Sequence, residues 1–384
     1  MTPAGALRVL LGGDYDDDPR LGSAKVPHKL REELRRAGHD CDALFAGALG
    51  ARPAGRQIRQ LIAPILARRA ISAALSRKRY DVVDVASAEG LWFGVQKRLG
   101  SWRSTALICR SNGLEHLNYR RMSGDSDAGL LPKPWTRRLW YPMSRLSQVA
   151  AAARVADRLL VLNGVDRQFA VDHRWQPADR IDVVPHGVSD RFLDGVPVSP
   201  ARGAGMLFCG TWDFVKGTPY LVDAFDRLAA EGRPVPLTIL GPGIPADAVL
   251  RAFSDAARPF VTVIDRVPEE RVVEEYRRHD ALLFTSTYEG FGLVALEAMS
   301  QGLPIVATPV GCVRDLVRDG ENGIIVPPRD SAAIAAAVRR LIDAPAERVR
   351  MGTAAAAAVA GMSWRRTAAH TVDVYRRALA QVRA

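Results

Sequence analysis

Short apolar runs alternate with longer stretches of helical composition along nearly all of the 384 residues. Arg8 to Leu11, Asp81 to Val85, Thr105 to Cys109, Arg158 to Leu162 and Ile181 to Val184 are brief, β-branched-rich and bounded by polar or turn residues, so they read as buried strands. A strand that is apolar at every position has both faces covered, and its alternation with helices predicts a mostly parallel, doubly wound α/β sheet. From Ser189 to Gly205 the rhythm breaks at Pro197, Pro200, Gly203 and Gly205, and residues 191–204 are assigned to a linker. A second series follows, with strands at Met206 to Cys209, Leu237 to Leu240, Phe260 to Ile264, Ala281 to Thr285 and Pro304 to Ala307. A chain of this length exceeds what one core usually holds. The expectation is therefore an N-terminal Rossmann-like domain over 1–190 and a second over 205–363, facing each other across a cleft. The alanine run from Ala354 to Ala360 reads as helix, and no internal repeat is present.

The stretch YEGFGLVALEAMSQGLPIVAT, from Tyr288 to Thr308, changes the picture most. It follows a predicted strand and precedes a predicted helix, so Gly290 and Gly292 fall at a βα turn. Backbone N–H groups at the start of a helix are unpaired and sit at the positive end of its dipole, which suits an anion such as phosphate. Glu289 lies before the turn and Glu297 two helical turns after it. Carboxylates accept hydrogen bonds from hydroxyls and repel bare phosphate, which directs both towards a sugar. In isolation the two glutamates read more readily as surface residues flanking an ordinary turn.

They are not isolated. Together with RVLLGGDYDDDPRLGSAKVPHKLREELRRAGHDC, YDVVDVAS, ARVADRLLVLN, RIDVVPHGV, LFCGTWDFVKGTPYLVDAF, DRVPEERVVEEYRRHDALLFTSTYEGFG and GENGIIVPPRD, the segment resembles the retaining GT-B glycosyltransferases of family 4 in order and spacing. The resemblance covers nearly the whole chain. It implies GT-B architecture, with the N-terminal domain taking the acceptor, the C-terminal domain taking the donor, and residues 364–384 forming a helix that returns to the first domain. It implies transfer of a sugar from a nucleoside-diphosphate sugar to an acceptor hydroxyl, with retention at the anomeric carbon. Front-face attack, with the leaving diphosphate taking the acceptor's proton, is the mechanism attributed to such relatives.

Carried over residue by residue, the resemblance assigns donor binding to Gly22, Gly210, Thr211, Lys216, Val267, Glu289, Gly290, Phe291, Gly292, Leu293 and Glu297. Lys216 is one of only six lysines against forty-seven arginines, and a compact ammonium meets phosphate as a point charge. The family usually has arginine where this chain has Thr211, so half of the usual cationic clamp is absent or comes from elsewhere. Catalytic roles fall to Glu289, Lys216, Asn112 and His116. Many relatives carry histidine at the position of Asn112; asparagine takes no proton as a base, but it donates and accepts hydrogen bonds. Glu115 and His116 are nearby substitutes in sequence, while Asn112 and Gly113 also suit a plain turn. His186 stands where relatives often have asparagine. The remaining histidines show no paired spacing and read as structural.

Composition bounds the rest. Hydrophobic content of 48% with 25% charged residues is that of a globular protein. Cys41, Cys109, Cys209 and Cys312 are widely spaced and read as reduced thiols rather than disulfides or zinc ligands. No cofactor is expected beyond the donor itself. Asp14, Asp16, Asp17 and Asp18 could attract a cation but read as a solvated loop, so metal independence is expected. No leader-like or spanning segment is visible, and a cytoplasmic protein is expected.

The net charge of +11 is concentrated. Residues 43–80 contain eight basic and no acidic residues, and residues 128–154 contain five and none. Ile58, Leu61, Ile62, Ile65 and Leu66 recur at helical spacing in the first segment; Trp135, Leu139, Trp140 and Tyr141 accompany Lys133, Arg137 and Arg138 in the second. Two readings are open: peripheral contact with an anionic membrane, or apolar core positions with arginines gripping an anionic acceptor. Nucleic acid is not expected, for want of a binding motif. The acceptor stays open among saccharide, glycolipid and small molecule, in polysaccharide or glycolipid synthesis. A dinucleotide dehydrogenase does not fit, because GGDYDD lacks the Gly-x-Gly-x-x-Gly pattern. The surviving rival is a non-catalytic nucleotide-sugar-binding protein of the same fold, motivated by Thr211 and Asn112.

Overall fold

The computed structural model describes residues 5–18, 22–50, 55–132, 136–193 and 203–383. Among these, the chain divides into one unit of residues 1–186 with 364–384 and a second of 187–363. Most of the predicted linker, residues 194–202, lies outside the described residues, as do Lys133 and Trp135.

The first unit holds a parallel sheet of β1 (Arg8–Gly12), β2 (Asp40–Leu44), β3 (Val82–Ala86), β4 (Ala106–Arg110), β5 (Arg158–Val161) and β6 (Ile181–Val183), in the order β2-β1-β3-β4-β5-β6. Strand alternation sends Leu10, Val83, Val85, Leu107 and Leu159 to one face, under the helices Arg56–Arg77, Leu91–Arg98 and Ser147–Val155. Val9, Leu11, Val82, Ile108 and Leu160 go to the other, under Gly22–Arg36 and the C-terminal helix Trp364–Arg383. That last helix lays Val372, Tyr375 and Leu379 on the sheet at helical spacing. Polar anchors then fix its register: the Tyr375 hydroxyl donates to Asp84 at 2.6 Å, and Thr367 Oγ1 donates to the Pro185 carbonyl at 3.0 Å.

The second unit repeats the plan with β7 (Met206–Cys209), β8 (Leu237–Leu240), β9 (Val261–Ile264), β10 (Ala281–Phe284), β11 (Ile305–Ala307) and β12 (Gly323–Ile325), ordered β12-β11-β10-β7-β8-β9. Its core joins Met206, Phe208, Ile239, Leu283 and Val306 to Leu221 and Phe225 of the helix Thr218–Ala230 and to Val338 and Leu341 of the helix Ser331–Asp343. The predicted strands recur within a residue or so of their expected bounds; β2 and β12 are additional. Among the described residues no helix is long and apolar enough to cross a membrane. No disulfide joins Cys41, Cys109, Cys209 or Cys312.

Candidate functional site

In an open parallel sheet, ligands bind beyond the carboxyl ends of the strands where the strand order reverses. In the second unit that point lies between β7 and β10, which are paired in the sheet while their sequence neighbours run outwards on opposite sides. The loops leaving these two strands carry Gly210 to Gly217 and Thr285 to Gly292.

The two loops are laced together through the backbone. Asp213 caps the turn Phe214–Lys216 by accepting from the Val215 N–H at 2.9 Å. Thr287 N donates to Val215 O at 2.7 Å, and Thr285 Oγ1 donates to Lys216 O at 2.9 Å. Gly217 has φ +74°, and a Cβ there would fall 2.0 Å from the Thr285 carbonyl oxygen, so only glycine fits. Held this way, Lys216 Nζ donates to Glu289 Oε1, which also accepts from Ser286 Oγ at 2.9 Å. Among the described residues nothing donates to Glu289 Oε2.

Beyond Glu289 the chain turns through Gly290 and Phe291 to Gly292, whose φ of +92° starts the helix Leu293–Ser300 with no side-chain cap and no acidic residue in its first turn. Ala295 N donates back to Gly292 O at 3.0 Å, whereas the N–H groups of Leu293 and Val294 have no place in the helical ladder. Phe284 packs beneath the turn, where a Cβ on Gly292 would come 2.8 Å from its ring. Cys312 N donates to Phe291 O at 2.6 Å, and Gly311 passes so close that a Cβ would meet that oxygen at 2.3 Å. The turn is thus braced on both sides.

Glu297 is buried, with 6% exposure, and accepts from the Tyr276 hydroxyl at 3.3 Å. Tyr276, on the helix Glu269–Arg278, also hydrogen-bonds Cys209 at the end of β7, and burial raises its phenol well above the ordinary range. Glu297 is thereby tied to the strand that leads into Gly210. Sequence reasoning passed over Tyr276, which carries no signal beyond an apolar helix position. Thr211 is exposed beside Gly210. Val267 is half-buried in the loop after the edge strand β9. Its neighbour Arg266 lies over the loop after β8, with Nη2 3.0 Å from where a Gly243 Cβ would stand.

The first unit has its own switch point between β1 and β3. Asn112 Nδ2 donates to the Tyr15 hydroxyl oxygen at 2.6 Å, and the Tyr15 ring covers Gly13. Asn112 Oδ1 is buried without a partner among the described residues. A void of about 20 Å³, the size of a single water, is lined by Gly12, Tyr15, Asp84, Ala86, Arg110 and Asn112. Below it, Arg110 Nη2 donates to Asp84 Oδ2 at 2.5 Å, inside the sheet. Gly22 opens the helix after β1, and residues 19–21 lie outside the described residues.

Glu115 and His116 are not drawn to Asn112 by any contact. Glu115 accepts from Ser87 Oγ at 2.7 Å and from Arg145 Nη2 at 2.9 Å. Burial opposes its ionisation, but Arg145 with the Ser87 and Tyr141 hydroxyls outweighs that and holds its carboxyl below the usual range. Glu89, also on Arg145 at 3.2 Å, is held above that range by burial. Ser87 takes a strained φ of +49° at this cluster. His116 packs edge-on against Trp175, centroids 4.7 Å apart, and burial lowers its pKa to about 4. His186 is buried against Trp364, 5.1 Å between rings, with its pKa lowered to about 3 by burial and by Arg110.

The acidic run is met by protein cations: Asp17 faces His28 Nε2 at 2.9 Å, and Asp14 faces Arg59 at 3.7 Å. Among the described residues no three histidine, cysteine or carboxylate side chains are grouped to hold a metal ion.

Residues 203–344 match the family model described as glycosyl transferases group 1. The chain is 32% identical over 249 residues to D-inositol 3-phosphate glycosyltransferase of Xylanimonas cellulosilytica, covering 60% of this chain and 56% of that protein. The enzyme of the same name from Kineococcus radiotolerans is 31% identical over 265 residues, covering 62% of this chain and 61% of the relative. The chain therefore spans somewhat over half the length of these curated relatives. Among solved structures, sucrose-phosphate synthase from Thermosynechococcus elongatus superposes with TM-score 0.77 at 20% identity, covering 97% of this chain and 100% of the other. HepE of Anabaena, in complex with UDP and glucose, gives 0.69 at 14%, covering 96% and 100%. At these identities the likeness shows the fold, which is the GT-B architecture expected from the sequence.

Proposed function

We propose, from the match of residues 203–344 to the glycosyl transferases group 1 family model, that this protein is a retaining, family 4 glycosyltransferase that moves a sugar from a nucleoside-diphosphate sugar to an acceptor hydroxyl. The observation that carries the reading is the constellation at the second switch point. A lysine ammonium, an uncapped helix start and a carboxylate with one open oxygen converge where two braced loops meet. These are the groups that a diphosphate joined to a polyhydroxylated ring requires: cationic and N–H donors for the diphosphate, a carboxylate acceptor for hydroxyls.

In this reading Lys216 exchanges Glu289 for the diphosphate, and the N–H groups of Gly292, Leu293 and Val294 take further phosphate oxygens. Glu289 then turns its oxygens to hydroxyls of the donor sugar, and Glu297, held by Tyr276, reaches the ribose. As the glycosidic bond breaks, negative charge grows on the leaving diphosphate, where the fixed donors stabilise it most. Lys216 supplies the charge that a metal ion supplies elsewhere, and transfer is proposed to proceed without one. On the acceptor side, Asn112 and Tyr15 offer hydrogen-bonding groups and no base. That fits a mechanism in which the diphosphate itself takes the acceptor's proton. The relatives' name points to a phosphorylated polyol as a first acceptor to try, alongside saccharides and glycolipids.

The test is calorimetric titration with UDP, GDP, ADP and their sugars, followed by transfer assays in excess EDTA. One nucleotide class should bind, and both Lys216→Ala and Glu297→Ala should weaken it. Binding with neither transfer nor hydrolysis across the acceptor panel would favour the non-catalytic reading; activity lost in EDTA and restored by magnesium or manganese would end the metal-free mechanism.

A further inference from the structure

From the placement of apolar and basic side chains in the first unit, we infer that the face formed by the helix Arg56–Arg77 and the turn through Pro142–Leu146 docks on an anionic phospholipid surface. Three residues of the helix, Ile58, Leu61 and Ile65, are exposed, Ile58 to 55%. At 100° per residue they share one stripe, and Arg69 continues it a turn further on. The helix packs against the turn, and Gln148 Nε2 donates to Leu61 O at 3.0 Å, which seats the two segments side by side. The turn exposes Met143 to 77%, and the segment Thr136–Trp140 just before it exposes Leu139 to 59% and Trp140 to 44%. Two neighbouring segments thus both hold large apolar side chains in water, although the unit has a full core elsewhere.

The structure also sorts the charge excess seen in the sequence. Lys78 is used by Asp40 and Asp42, Arg59 by Asp14, and Arg145 is internal between Glu89 and Glu115. Arg69 and Arg138 remain exposed, with no side-chain partner among the described residues. Apolar side chains rimmed by unpaired guanidiniums, with no acidic residue in either segment, complement headgroup phosphates above hydrocarbon. A second copy of the chain fits less well, since a twofold pairing through this face would set arginine against arginine. The inference is independent of the proposed transfer activity.

The full-length protein is floated with vesicles of phosphatidylcholine alone and of phosphatidylcholine with 30 mol% phosphatidylglycerol, at low and high salt. The expected result is at least tenfold stronger partition to the anionic vesicles, weakened by salt. Arg69→Gln with Arg138→Gln should lower it by roughly 25-fold, at about fivefold per charge. Leu139→Ser with Met143→Ser should lower it by about tenfold or more. Phe260→Ser, which removes an exposed aromatic from the second unit, should leave it unchanged. Thermal midpoints of the variants confirm folding. Equal partition to both vesicle types overturns the inference, as does equal loss in the Phe260 variant. So does light scattering that shows a dimer dispersed by the Leu139 and Met143 substitutions, because the patch would then belong to a second copy.

Discussion

Lys216 and Ser286 both donate to the same oxygen of Glu289, Oε1, and among the described residues leave Oε2 without a donor. The lysine that is to meet a diphosphate is thus parked on the carboxylate that is to meet the sugar. A ligand bringing its own anion frees both groups together, so diphosphate and sugar recognition should be coupled.

Glu289→Gln should separate the two. The amide no longer holds Lys216 by charge, so affinity for the nucleoside diphosphate alone should hold or rise, while that for the intact nucleotide sugar and the transfer rate both fall. Lys216→Ala should weaken both ligands by about 10- to 150-fold, the worth of a charge-assisted hydrogen bond of about 1.5–3 kcal/mol. Parallel calorimetry with diphosphate and sugar diphosphate checks this; equal losses for the two ligands in Glu289→Gln would contradict the coupling.

Tyr276→Phe deletes the hydroxyl that joins Glu297 to Cys209 and leaves a buried carboxylate short of a donor. A stability loss of about 1–3 kcal/mol is expected by urea denaturation. Weaker nucleotide binding should accompany it, because Glu297 loses its tether to the end of β7.

Gly217→Ala places a methyl against the Thr285 carbonyl at a positive φ. The loop has to move off β10, carrying Lys216 with it, so nucleotide binding should drop along with the melting temperature. Gly232, with φ +72° and open space around its Cβ position, is the comparison: alanine there should cost stability through φ alone and spare binding.

Asp84 stands between Arg110 and Tyr375 inside the first unit. Asp84→Ala strands a buried guanidinium and should cost about 3–5 kcal/mol. Tyr375→Phe leaves the ion pair intact and should cost about 1 kcal/mol. Similar losses for the two would mean that the C-terminal helix, and not the buried charge, dominates.

Acid should destabilise the first unit through histidine. His116 and His186 take a proton near 6.5 when unfolded but only near pH 4 and 3 when folded. The unfolded state binds more protons across that window, so their contribution is complete above pH 6.5 and is lost as pH falls towards 3. His186→Asn should flatten the fall in urea midpoint between pH 7 and pH 4.5.

The apolar runs determined by themselves that the chain would fold as two parallel βα series, because a short strand buried on both faces has to be apolar throughout and its length admits little else. They also placed Lys216, Glu289 and Gly292 at loop positions after strands, since glycine is written where backbone takes a positive φ. Two strands escaped: β2 reads DCDAL, half polar at a sheet edge, and β12 is three residues opened by glycine. What only the tertiary structure decided was which side chains meet. Lys216 and Glu289 are 73 residues apart, and their pairing depends on β7 lying beside β10, a topological fact with no local signature. Tyr276 beneath Glu297, Tyr15 on Asn112 and His116 among aromatics share that origin. The same holds for charge: Arg145 and Arg138 are alike in sequence, and only packing sends one between Glu89 and Glu115 and leaves the other in water.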